Sequence, residues 1–272
     1  MKLVIVLAAV YVVWWFLVHG RTGSPAWKIL RRYRYAHRGL HRPGVPENSL
    51  PAFRAAAEHG FGAELDVHLT KDGRLAVIHD SSLRRVCGEG GSVENLTAAE
   101  LGRYRLEGTD EKIPFLDEVL PIFEGRTPLV VEIKPANGNW DVLTAKTVEC
   151  LDRFQVRYCM ESFDPRSLLW LKKHRPEIVR GQLTQNFLKD PAGLGFKNRF
   201  LLTMLCFNLR TRPDFIACKF EDRGTVSVRL CCRWWGVQEV LWTIRSRAEL
   251  KKTEQAGALA IFENFEPEKT MP

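Results

Sequence analysis

Ala63-Glu64-Leu65-Asp66-Val67-His68-Leu69-Thr70, then Lys71-Asp72-Gly73-Arg74, then Leu75-Ala76-Val77-Ile78-His79-Asp80 is the stretch on which the reading of this chain turns. Polar and apolar residues alternate along its first run. In a strand that alternation sends Glu64, Asp66 and His68 to one face and Leu65, Val67 and Leu69 to the other. Lys71–Arg74 is a hairpin-type turn, so Leu75–His79 reads as a short returning strand. Two acidic side chains on an inward face are costly unless a cation or hydrogen bonds compensate them. The strand therefore carries both a fold signal and a site signal.

Outward from this stretch, β-rich runs recur between helical patterns, the signature of repeated βα units and a parallel sheet. The runs are 33–37, 63–69, 129–133, 158–162, 179–183, 215–220, 239–244 and 258–262. Eight such strands in a chain of 272 residues point to an α/β fold of the (β/α)₈ TIM-barrel type. The run 75–79 is then a small hairpin insertion after strand 2. Ser49 is placed to cap a helix through Pro51, Phe53, Ala56 and Ala57 that stops at Gly60. Further helical patterns cover 115–123, 142–154, 165–174 and 247–255. The stretch 187–212 is less regular and reads as a barrel-covering helix, with a membrane-resting amphipathic segment as the alternative.

Composition narrows the function classes. Forty Lys and Arg against thirty-two Asp and Glu leave a charge of +8, compatible with phosphate substrates or an anionic surface. No dense basic stripe interleaved with aromatics is present, which argues against nucleic acid as a partner. The seven cysteines form no C-x-x-C pair, and most sit in apolar runs, so they read as reduced thiols.

The segment Leu3–Val18 is an unbroken apolar run with Trp14, Trp15 and Phe16 near one end. It reads as a transmembrane or membrane-anchor helix within residues 1–20, with the aromatics as an interfacial belt. Residues 21–32 follow as a basic linker, and 33–272 as the barrel. Arg21, Lys28, Arg31, Arg32 and Arg34 outweigh Lys2 and the amino terminus, which places the body on the cytoplasmic side of the cell membrane as a single-pass protein.

Active-site residues of such barrels sit at the C-terminal ends of strands and in the following loops. His37-Arg38-Gly39 closes the first strand, His79-Asp80 closes the hairpin, and Glu132 ends an apolar run with Lys134 two residues on, on the same face. Glu64, Asp66 and Glu132 together make an all-oxygen donor set suited to Mg²⁺ or Ca²⁺ rather than zinc. His37 and His79 suit acid–base chemistry at phosphorus, with Arg38 or Lys134 stabilising charge on the phosphate oxygens. Glu47 and Asn48 read as loop-fixing residues with a substrate contact as the alternative, and Trp242 as a pocket wall or a core residue. His68 reads as a structural histidine.

Ala36-His37-Arg38-Gly39, Pro46-Glu47-Asn48-Ser49, Glu64-Leu65-Asp66-Val67, Thr70-Lys71-Asp72-Gly73 and His79-Asp80 together resemble the glycerophosphodiester phosphodiesterase family, in its bacterial, membrane-anchored form. The later blocks Val131-Glu132-Ile133-Lys134, Glu161-Ser162-Phe163-Asp164 and Ile261-Phe262-Glu263-Asn264 fit the same pattern. The resemblance implies His37 and His79 as the catalytic pair, Glu64, Asp66 and Glu132 as ligands of a divalent cation, and Arg38 and Lys134 as phosphate contacts. It also implies hydrolysis of glycerophosphodiesters to glycerol 3-phosphate and an alcohol, with attack by the substrate's own glycerol hydroxyl through a cyclic phosphate. Two other readings stand beside it: a phospholipase D-like hydrolase of lysophospholipids, and an inactive membrane-bound scaffold barrel. The second requires loss of at least one of the five histidines and carboxylates, and none is missing.

Overall fold

The eight runs form one closed parallel sheet in the computed structural model, which describes residues 2–268. In chain order the strands are β1 (Tyr35–Ala36), β2 (Gly62–Leu69), β3 (Leu75–Val77), β4 (Leu129–Ile133), β5 (Tyr158–Ser162), β6 (Arg180–Thr184), β7 (Phe215–Lys219), β8 (Gln238–Ile244) and β9 (Leu259–Phe262). All but β3 pair in parallel, in the order β1-β9-β8-β7-β6-β5-β4-β2, and β1 on β2 closes the ring. β3 lies antiparallel on the upper end of β2, Val67 opposite Val77, as a hairpin above the barrel. The first strand is shorter than the run 33–37. Its ladder nevertheless continues at both ends, through Gly62 N–H to Arg34 O and His37 N–H to Phe262 O.

The helices of eight or more residues are α1 (Lys2–Leu17), α2 (Leu50–Glu58), α3 (Leu116–Phe123), α4 (Trp140–Leu151), α5 (Pro165–His174), α6 (Phe196–Thr203) and α7 (Arg247–Gln255). Ser49 caps α2, its hydroxyl accepting from Ala52 N–H. The apolar outer faces of the strands (Leu65, Val67, Val131) pack with Phe53, Leu120 and Leu143 of these helices in one large core. Inside the barrel a second core of Tyr35, Val130, Cys159, Phe215 and Ile261 fills the lower half. A third cluster of Ile78, Leu83, Val86, Leu101 and Leu106 shows that the hairpin opens into a satellite lobe running to Ile113. In place of one covering helix, 187–212 holds α6 and a short turn at Asn208–Thr211.

The membrane expectation for the N-terminus is corrected. Among the described residues no helix is long and apolar enough to cross a membrane. α1 has 16 residues, a length of about 24 Å at 1.5 Å per residue, against a hydrocarbon core of about 30 Å. The chain leaves the helix after Leu17 to bury Val18 against the barrel, where the Val18 carbonyl accepts from Asn208 Nδ2. The tryptophans meet the barrel: Trp14 Nε1 donates to Met204 O, and the Trp15 ring lies 5.3 Å from that of Trp235. The expected single-pass cell-membrane location with a cytoplasmic body rested on that span and falls with it. The stretch 21–32, expected as a basic linker, packs on the barrel base. Arg21 pairs with Asp214 at 2.7 Å, and Trp27 stacks on Phe215 with centroids 4.7 Å apart. All seven cysteines are free thiols.

The loop after β1 is tightly wound. Arg38, Gly39 and Asn48 have φ of 55°, 80° and 53°, and Asn48 N–H bonds Arg38 O at 2.9 Å. A Cβ on Gly39 would meet the Ala52 backbone at 2.9 Å while holding a positive φ. Gly39→Ala is therefore expected to destabilise the protein by about 1–3 kcal/mol, read as a lower urea midpoint at unchanged slope. An unaltered midpoint would show that this loop is not pinned against α2.

Candidate active site at the upper barrel rim

Strand register assembles the acidic cluster. Asp66 of β2 stands beside Glu132 of β4, and Glu132 beside Glu161 of β5. Glu64 lies two residues before Asp66 on the same inward face. Glu64, Asp66, Glu132 and Glu161 are all nearly inaccessible to solvent. Oxygens of Glu64, Asp66 and Glu132 come within 4.8 Å of one another, close enough to hold a cation. Lys134 enters from the end of β4, its Nζ 2.9 Å from Glu132 Oε1 and 3.2 Å from Asp66 Oδ1. Arg38 donates its backbone N–H to Glu64 at 3.1 Å and sets its Nε 3.6 Å from Asp66. Asn48 Nδ2 bonds Asp66 Oδ2 at 2.9 Å.

The two histidines face this cluster with matching support. His37 Nδ1 bonds Glu263 Oε2 at 2.6 Å, leaving Nε2 turned toward Glu64 at 3.9 Å. His79 Nδ1 bonds Asp80 Oδ1 at 2.5 Å. Both partner carboxyls are held below their ordinary range: against the upward push of burial, His37 bonds Glu263, and Arg85 bonds Asp80. An ionised carboxylate only accepts, so Nδ1 of each ring carries the proton and a neutral ring presents Nε2 as acceptor. Burial, the largest cause, lowers the pKa of both rings, which favours that neutral form.

His37, Arg38, Glu64, His79, Glu132, Lys134 and Trp242 line one cavity of about 340 Å³. Asp66 is not on its lining. Trp242 bonds Ala217 O through Nε1 and meets Phe163 edge-on at 5.8 Å, so it is a wall of this cavity. Glu47 is not on the lining. It bonds Arg38 at 2.9 Å and Arg85 at 2.7 Å, and so braces the loop after β1. His68 bonds Glu94 and the His79 carbonyl, at 2.7 and 3.1 Å, which holds the segment carrying His79.

Arg85 gave no signal in the sequence. It sits on a short helical turn of the satellite lobe and reaches both Glu47 and Asp80 only through the folding of that lobe. Glu263 and Glu161, quoted above only inside longer blocks, were findable, since each ends or follows a barrel strand where site residues collect.

The charges do not balance. Among the described residues the cations touching these four buried carboxyls are Arg38 and Lys134. Burial, then Asp66 and Glu132, raise Glu64 well above the ordinary value. Burial raises Glu132 to about 7 although Lys134 opposes it. Burial also pushes on Asp66, but Lys134, His79 and Arg38 prevail and hold it well below its ordinary value. Glu161 Oε2 is buried without a hydrogen-bond partner, while Asp66 Oδ1 has Lys134 Nζ at 3.2 Å. An orphaned oxygen in an all-oxygen set with excess negative charge fits a hard divalent cation.

Comparison with known proteins gives the family and the fold. Residues 37–266 match the Glycerophosphoryl diester phosphodiesterase family. A glycerophosphodiester phosphodiesterase from Caldanaerobacter subterraneus subsp. tengcongensis is 30% identical over 83% of this chain and 91% of its own. A lysophospholipase D from Rattus norvegicus is 34% identical over 46% of this chain and 44% of its own. A solved Oleispira antarctica phosphodiesterase, in complex with the product sn-glycerol-3-phosphate, shares the fold with a TM-score of 0.70 at 22% identity. That match covers 89% of this chain and 95% of the other.

The charge imbalance predicts a pH dependence. A carboxyl raised in the folded state stabilises it below the unfolded pKa, and this stability is lost as pH climbs through the folded value. For Glu132 the window runs from 4.5 to about 7. Metal-free protein should lose on the order of 3 kcal/mol there, measured as the urea midpoint relative to Glu132→Gln. Asp66, held low, acts with opposite sign but below its ordinary 3.8. Parallel pH profiles for the two proteins would refute the assignment.

Proposed function

The chain belongs to the glycerophosphoryl diester phosphodiesterase family, and on that premise we propose that it hydrolyses glycerophosphodiesters to glycerol 3-phosphate and an alcohol through His37 and His79. The chain is thus a phosphoric diester hydrolase. The observation that carries the finer reading is the pair of carboxylate-backed imidazoles facing one acidic cluster.

Glu64, Asp66 and Glu132 would hold Mg²⁺ or Ca²⁺, which supplies a Lewis acid for the non-bridging phosphate oxygens when bound. Arg38 and Lys134 hold fixed positive charge beside the same oxygens. One neutral imidazole takes a proton at Nε2 from the attacking hydroxyl, and the other, protonated, delivers one to the leaving oxygen. A new phosphorus–oxygen bond forms as that to the alcohol breaks, and water is consumed overall. Glu263 and Asp80 keep each ring oriented and stabilise its cationic form.

A second reading, hydrolysis of lysophospholipids, draws support from the rat relative and from an apolar cavity that adjoins the catalytic one. An inactive scaffold is the weaker reading, because a four-carboxylate cluster has no structural use that apolar residues would not serve better.

With glycerophosphocholine as substrate, His37→Ala and His79→Ala should each lower kcat by about 10²–10⁴-fold. Glu64→Gln should weaken cation binding in calorimetry as well as turnover. Full activity in both histidine variants would sink the acid–base assignment, and full activity after chelation would sink the metal. Arg85→Ala should act mainly on kcat, by about tenfold, because it frees Asp80 and Glu47 without touching substrate. A pure KM effect would instead make Arg85 a substrate contact.

A further inference from the structure

The polar side chains that line the catalytic cavity differ in how far their bonding is already used. His37, Arg38, His79, Glu132 and Lys134 are each tied to a partner named above. Glu161, near the end of β5, is not. It borders the same cavity, is 1% exposed, and its Oε2 has no hydrogen-bond partner. The strand end that carries it is nevertheless held firmly. Ser162 Oγ donates to Ile133 O at 2.7 Å, and Gln182 Nε2 donates to Ser162 O at 3.2 Å and to Leu183 O at 3.0 Å. The carboxyl is therefore positioned in advance of any ligand.

A buried carboxyl without a partner is costly, and an apolar side chain of similar size would serve packing better. Glu161 adds to the negative charge of the cluster, but it is not among the three carboxyls whose oxygens converge within 4.8 Å. It stands one strand further round the ring, beside Glu132, and shares the cavity wall with the apolar Phe163, Leu183 and Trp242. One polar group among apolar ones is the pattern of a wall that orients a ligand through a single hydrogen bond. Of the two arms of a glycerophosphodiester, the glycerol always carries hydroxyl donors. A carboxyl accepts from a hydroxyl in either protonation state.

We infer that Glu161 selects the glycerol arm of the substrate, its carboxyl accepting a hydrogen bond from the terminal hydroxyl of that glycerol. The inference rests on the phosphodiesterase reading above and adds the residue that sets its specificity. Glu161 moves no proton: the attacking hydroxyl and the leaving oxygen stay with His37 and His79. A substrate without the terminal hydroxyl leaves the carboxyl buried and unpaired, and the site discriminates against it for that reason.

The test pairs glycerophosphocholine with the same diester built on propane-1,2-diol, which keeps the hydroxyl next to the phosphoester carbon and lacks the terminal one. In the wild type, kcat/KM should favour glycerophosphocholine by at least about tenfold. In Glu161→Leu, which has no acceptor, the preference should fall to within about twofold. Glu161→Gln, which keeps the shape and one acceptor oxygen, should retain more of the preference than Glu161→Leu. Calorimetry of glycerol 3-phosphate and propane-1,2-diol 1-phosphate gives the same comparison without turnover, and the ratio of their Kd values should shrink about tenfold in Glu161→Leu. A preference that persists in Glu161→Leu, equal losses on both substrates included, overturns the assignment and leaves the phosphodiesterase reading intact. So does a loss of cation affinity as large as that of Glu64→Gln, which would make Glu161 a cation ligand. Should the wild type hydrolyse neither diester, the phosphodiesterase reading falls, and the ratio of product affinities still decides the role of Glu161.

Discussion

Glu64, Asp66, Glu132 and Glu161 are pressed into the upper barrel by the inward alternation and register of three neighbouring strands. Two cations stand against them, and both are themselves committed, Arg38 to Glu47 and Lys134 to a bridging position between Asp66 and Glu132. Such crowding has three physical outlets: protonation, capture of a metal ion, or outward collapse. The lower barrel removes the last, since Tyr35, Val130, Cys159, Phe215 and Ile261 fill the space beneath. What remains is protonation or a cation, and the oxygens of Glu64, Asp66 and Glu132 lie close enough to hold one.

The histidines depend on neighbours that lie far apart in the chain. Glu263 reaches His37 because β9 closes against β1, so the ring closure of the barrel is itself part of the site. His79 is held from the other direction, by a satellite lobe with its own apolar cluster that sets Asp80, Arg85 and Glu94 around it. Arg85 and Glu47 tie that lobe to the loop after β1. Displacing either element would disturb the supports of both histidines.

At the opposite end, Val18, where the expected span ends, and the stretch expected as a linker seal the barrel base. Val18 and Leu30 are buried there, and Trp27 stacks on Phe215. Most of α1 keeps large apolar side chains exposed, from Val4 to Phe16.

The strands, the hairpin and the identity of the acidic and histidine residues were legible in the sequence, because period-two alternation and turn chemistry are local. So was the inward direction of Glu64 and Asp66, which follows from backbone geometry alone. Pairing across the ring was not legible: Glu263 with His37, Arg85 with Asp80, and Glu161 beside Glu132 are set by register and by a lobe that folds over the rim. The membrane span was misread because hydropathy reports how apolar a segment is, not how long a helix it forms. The cavity that adjoins the site was not legible either, since it forms only where α5 and α6 come together.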